Sequence, residues 1–142
     1  VPTHRIRLIG PWEYSWTGSL TAPTESLSET TSGSVKMPCD WLVLFGTDAG
    51  AATFSRRFHC PTNLEPHERV FLVFEGIGGQ GEIALNDEVL AQVTPTDQPV
   101  EVEVTNRLQR FNRLNVSLQF NPQAATPYRG GLYGAVVLEI RA

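Results

Sequence analysis

Cysteine is scarce in this sequence: Cys39 and Cys60 are the only two among 142 residues, and neither has a second cysteine or a histidine at ligand spacing. A zinc framework is therefore excluded, and buried free thiols are expected unless the fold brings the two within disulfide reach. Long apolar runs are missing too. None approaches the ~20 residues that a membrane-spanning helix requires, so no membrane partner is expected. A basic excess is also lacking. Eleven Lys plus Arg stand against fifteen Asp plus Glu, a net charge of −4 with a pI near 5.3. That excludes a protein that binds nucleic acid by neutralising its phosphates. The chain opens on Val1 rather than Met, as expected of a processed or trimmed chain, which leaves the compartment unread.

Catalytic signatures are absent as well. His4, His59 and His67 are scattered, with no HExxH arrangement among them, and no serine lies in a GxSxG elbow. Gly76, Gly78, Gly79 and Gly81 resemble a phosphate loop, yet the P-loop Lys is missing and Glu82 to Leu85 reads as a strand. A turn from one sheet to another explains them better. Glu101 and Glu103 lie on the polar face of a strand, where solvated charge is the ordinary explanation for a carboxylate pair. Asp40, Asp48, Asp87 and Asp97 are dispersed, unlike the converging oxygens of a calcium loop. Asn115-Val116-Ser117 fits a glycosylation sequon by chance, inside a strand. No catalytic residue, metal site or cofactor is expected.

What is present is a length suited to one domain, residues 1–142, that can bury a core without staples, and short runs of period two between turn residues. His4 to Ile9, Thr53 to Phe58, Glu82 to Leu85, Glu88 to Leu90, Val100 to Val104, Leu114 to Phe120 and Ala135 to Ile140 alternate or run apolar as strands do. Val70 to Phe74 is apolar on both faces and suits a central strand. Asn86-Asp87 fits the positive φ angles of a hairpin turn. Helix signals are weak; Thr105 to Phe111 reads as a turn or one helical turn. Thr17 to Ser34 holds ten Ser or Thr in eighteen residues and reads as a surface excursion, extended at most at its end. The fold class that follows is all-β: an antiparallel β-sandwich, jelly roll or barrel.

Arg56 lies between Phe54 and Phe58 on one strand face, pointing into the sandwich or towards its edge. A buried guanidinium needs a carboxylate, and Glu75 is the expected partner. Trp12, Tyr14 and Trp16 share a strand face, and Tyr128 to Tyr133 forms a turn with two Tyr and Arg129. Such aromatics are either core or a platform on which the apolar face of a sugar stacks. Trp41 is expected in the core. The candidate ligand-binding residues are Trp12, Trp16, Arg129 and Tyr133.

Several segments in order resemble one family. Val35-Lys36-Met37-Pro38-Cys39-Asp40-Trp41 and Phe54-Ser55-Arg56-Arg57-Phe58 resemble the opening strands of the sugar-binding domain of family 2 glycoside hydrolases, the β-galactosidases, β-glucuronidases and β-mannosidases. Phe74-Glu75-Gly76-Ile77, Ala84-Leu85-Asn86, Asn112 to Val116 and Gly130 to Val136 resemble its later signatures. The likeness runs from about Gly10 to the C-terminus. Asp87 stands where the family has a turn Gly, and Gly134 where it has a closing Arg. The resemblance implies a galactose-binding-like jelly roll, an accessory domain beside a catalytic barrel whose glutamates lie outside this chain. The expected function is a non-catalytic carbohydrate-binding-like module. The alternative is a structural or protein-interaction domain with no ligand of its own, docking on a catalytic barrel domain or partner chain.

Overall fold

The computed structural model describes residues 4–17, 30–45, 49–62, 64–96, 98–122 and 129–142. Ten strands and one short helix lie among them. In chain order they are β1 (His4–Arg7), β2 (Trp12–Thr17), β3 (Thr30–Val35), α1 (Trp41–Phe45), β4 (Gly50–His59), β5 (Arg69–Phe74), β6 (Gln80–Leu85), β7 (Glu88–Val93), β8 (Val100–Glu103), β9 (Phe111–Phe120) and β10 (Val136–Arg141). They form a four-stranded sheet in the order β1-β10-β5-β8 and a six-stranded sheet in the order β3-β2-β4-β9-β6-β7. Every pairing is antiparallel, and both sheets contribute to one apolar core, as in a β-sandwich.

Alternation positions the layers. Along β9 Leu114, Val116, Leu118 and Phe120 are buried, while Arg113 and Gln119 are exposed, the period of two that a pleated strand imposes. The apolar run in β5 lies between β10 and β8, and Val70, Leu72, Val73 and Phe74 are all buried, as a central strand requires. The β6–β7 hairpin turns on Asn86 (φ 52°) and Asp87 (φ 68°), the two left-handed residues of a twist-matched turn. The glycine-rich segment carries the chain from β5 in one sheet to β6 in the other. Gly78 there forms a two-way backbone bridge with Gly131 (2.9 and 2.8 Å). A Cβ at Gly78 would lie 1.6 Å from the Arg129 carbonyl oxygen, so this close approach admits only glycine.

Two expectations need correction. Glu75 does not meet Arg56: it pairs with Arg5 (2.8 Å), because Glu75 follows β5 in the four-stranded sheet while Arg56 lies on β4 in the other. Arg56 instead lies near the end of β4, a strand flanked by β2 and β9, with one terminal nitrogen donating to the Arg57 carbonyl. The second concerns α1, which the weak helix signals did not suggest. Asp40 starts it, its Oδ1 accepting from the Leu42 N–H at 3.0 Å, an N-cap bond. Trp41 and Phe45 on one face of this short helix are then buried in the core. The segment Thr105 to Arg110 forms turns. Within the serine- and threonine-rich stretch, residues 30–34 are extended as part of β3; residues 18–29 lie outside the described part.

The outer face of the four-stranded sheet carries a cross-strand pair of arginines, Arg141 opposite Arg69. Arg141 pairs with Glu139 (2.6 Å) and Glu101 (3.0 Å) and stands 4.0 Å from the centre of the Phe71 ring. Arg69 reaches both oxygens of Glu103 (2.5 and 2.9 Å). These bonds, with one from the Thr105 hydroxyl, lower the Glu103 carboxyl to about 2.

Candidate functional site

The four candidate residues do not form one platform. Trp12 is fully buried and its indole N–H donates to the Leu8 carbonyl at 2.8 Å. It is core and offers no face to a ligand, which corrects its place among the candidates. The period-two pattern was right about the shared face but could not say which side of the sheet that face would be. Trp16 is half-buried. Its ring stacks on Phe45 with centroids 5.1 Å apart and planes 9° from parallel, within an aromatic cluster that also includes Tyr14, Trp41 and Phe54.

Arg129 and Tyr133 do come together. The guanidinium lies 5.3 Å from the centre of the Tyr133 ring, a cation–π distance. Its Nε donates to Asp40 Oδ2 at 2.7 Å. The Arg129 side chain remains 63% exposed and that of Asp40 only 15%, so the carboxylate anchors and the guanidinium presents. Tyr133 donates its hydroxyl to the Thr96 carbonyl (2.7 Å). A Cβ at Gly76 would lie 2.5 Å from the Tyr133 ring, so the ring rests on glycine backbone. Backbone bonds hold the two segments side by side: Trp41 N–H to the Gly130 carbonyl (2.9 Å) and Cys39 N–H to that of Leu132 (2.9 Å).

Asp40 thus both caps α1 and holds Arg129, a role that its position before Trp41 signalled only in part. Burial, with the Asp40 carboxylate beside it, pushes the Cys39 thiol up, which makes it a poor nucleophile. Cys39 and Cys60 are free and half-buried. Beside this rim, α1 exposes Leu42 (53%) and Val43 (77%). Among the described residues no group of three His, Cys, Asp or Glu could hold a metal ion, and no helix is long and apolar enough to cross a membrane.

The two antiparallel sheets packed on one core define a β-sandwich module. Residues 45–130 match the family described as "Glycosyl hydrolase 2 galactose-binding domain-like", and the chain belongs to that family. Solved structures agree on the fold. An FMN-binding β-glucuronidase from Faecalibacterium prausnitzii L2-6 superposes with a TM-score of 0.75 at 16% identity, over 96% of this chain and 22% of that one. A putative β-galactosidase from Bacteroides fragilis gives 0.74 at 20% identity, over 99% and 23%. A Bifidobacterium dentium β-glucuronidase complexed with coumarin-3-O-glucuronide gives 0.71 at 18%, over 97% and 30%. The chain therefore spans less than a third of each of these relatives, and what is matched is the non-catalytic accessory domain. No functionally curated protein matches the chain.

Proposed function

We propose that residues 1–142 act as a single accessory β-sandwich of a family 2 glycosidase, packing beside a catalytic barrel and presenting the Asp40–Arg129–Tyr133 rim to a carbohydrate. One observation carries this reading: Arg129 is exposed yet pre-oriented by Asp40 and the Tyr133 ring. With Nε occupied, the other guanidinium N–H groups can donate to sugar hydroxyls or to a carboxylate. Trp16 supports the rim from the aromatic cluster. Affinity in the micromolar to millimolar range, about −4 to −8 kcal/mol, is expected.

Calorimetry of the chain against a sugar panel, with and without calcium, tests this reading. Saturable binding that Arg129→Ala weakens about tenfold, or about 1.4 kcal/mol, with an unchanged thermal midpoint, supports it. Binding indifferent to Arg129→Ala rejects the rim as the site. A second reading, a docking domain with no ligand of its own, draws on the exposed Leu42 and Val43 beside the same rim. Silence across the panel, together with loss of association with a catalytic domain in Leu42→Ser/Val43→Ser, would favour it.

A further inference from the structure

A second cluster of arginines lies at the far end of the β4–β9 ladder. Gly50 opposite Phe120 marks the rim end, next to Trp41, and His59 opposite Phe111 marks the other. Ten residues at about 3.3 Å each put the two ends roughly 30 Å apart. At the far end Arg57 lies directly opposite Arg113. Like charges placed this way destabilise a sheet, and none of the ion pairs among the described residues includes Arg56, Arg57, Arg110 or Arg113.

The surface there is a cleft of about 570 Å³ lined by Arg56, Arg57, Arg113, His59, Phe111 and Asn86, with no carboxylate in its lining. The Arg56 Nε is buried without a hydrogen-bond partner. Phe111 is 60% exposed. The His59 ring meets it edge-on at 4.9 Å and the Arg110 guanidinium stands 5.4 Å from its centre.

The backbone under this cleft is fixed. Asn86 and Arg113 exchange two bonds, Asn86 N–H to the Arg113 carbonyl and Arg113 N–H to Asn86 Oδ1, both 2.9 Å. The buried Asn112 side chain closes the neighbouring turn on Gln109 (2.8 Å in both directions) and accepts from Asn86 (3.0 Å). Cations left unneutralised on a rigid surface, beside an exposed apolar ring, match a ligand with both an oxyanion and a flat C–H face. We propose that this cleft binds an acidic sugar residue, its carboxylate or sulfate between Arg57 and Arg113 and its ring against Phe111. This site is separate from the Arg129 rim.

The test is calorimetry of the full chain with trigalacturonate, galactose 6-sulfate and galactose. At least one acidic probe should bind, and its affinity should fall as salt rises from about 50 to about 300 mM, as expected of exposed ionic contacts. Arg57→Gln and Arg113→Gln should each weaken that binding about tenfold with a thermal midpoint equal to or above the parent's, since each removes a repulsion. Phe111→Ala should weaken it further, and the losses at Arg57→Gln and Arg113→Gln should persist in an Arg129→Ala background, where the rim no longer contributes. A carboxylate ligand and a sulfate ligand are told apart by which probe binds. In the Arg129→Ala background, silence with both acidic probes, binding of galactose at equal strength, or binding indifferent to Arg57→Gln and Arg113→Gln overturns the proposal. So does a midpoint that falls in both arginine variants, because the guanidiniums would then be structural.

Discussion

Each outer face of the sandwich carries an arginine opposite an arginine on paired strands: Arg141 and Arg69 on the four-stranded sheet, Arg57 and Arg113 on the six-stranded one. The first pair is enclosed by Glu101, Glu103 and Glu139 with Phe71 beneath. The second has an aromatic neighbour, Phe111, but no ion pair among the described residues. The comparison shows what internal neutralisation looks like in this chain, and so what the six-stranded face lacks. A face that satisfies its own charges has a structural role, whereas one that leaves them open on a pinned backbone is suited to an incoming anion.

The largest test addresses the layer that both faces share. Trp12→Ala should cost ~3 to 5 kcal/mol and lower the thermal midpoint by many degrees, whereas Trp16→Ala, half-buried at the edge of the cluster, should cost less. Equal losses would mean that the two rings are equivalent core. Next, Arg141→Ala should destabilise by about 1 kcal/mol, the sum of a modest cation–π contact and screened ion pairs, read by denaturant midpoint. The matching change on the other face has the opposite sign. Arg57→Glu converts a like-charged cross-strand pair into an opposite-charged one and should stabilise by ~0.2 to 1 kcal/mol; a loss of stability would break the comparison.

The smallest effect is in acid. Because the Glu103 carboxyl is lowered from its ordinary value of 4.5 to about 2 when folded, its pairing with Arg69 contributes fully above pH 4.5. That contribution is lost as pH falls towards 2. Midpoints measured down this range should fall less steeply in Glu103→Gln than in the parent; identical slopes would show that the pair adds nothing.

The strands were legible because half-buried sheets write their period into the chain, as β9 does from Leu114 to Phe120. The hairpin was legible because Asn86-Asp87 suits the left-handed region. Helix α1 was not: five residues carry too little periodicity, and its signal was only Asp40 before Trp41 and Phe45. The arginine cleft was out of reach for a different reason. Arg57 and Arg113 are 56 residues apart, and only the register of β4 on β9 makes them neighbours. The Arg56–Glu75 pairing failed because sequence could place each residue on or beside a strand but could not say which sheet each would join.

The bridge between Gly78 and Gly131 has a consequence for how this domain can diversify. It ties the crossing between the sheets to the backbone that carries Arg129 and Tyr133, so neither loop can lengthen or shift unless the other follows. The rim can therefore change its chemistry by exchanging side chains on a fixed frame, while remodelling of the backbone is left to segments outside that weld.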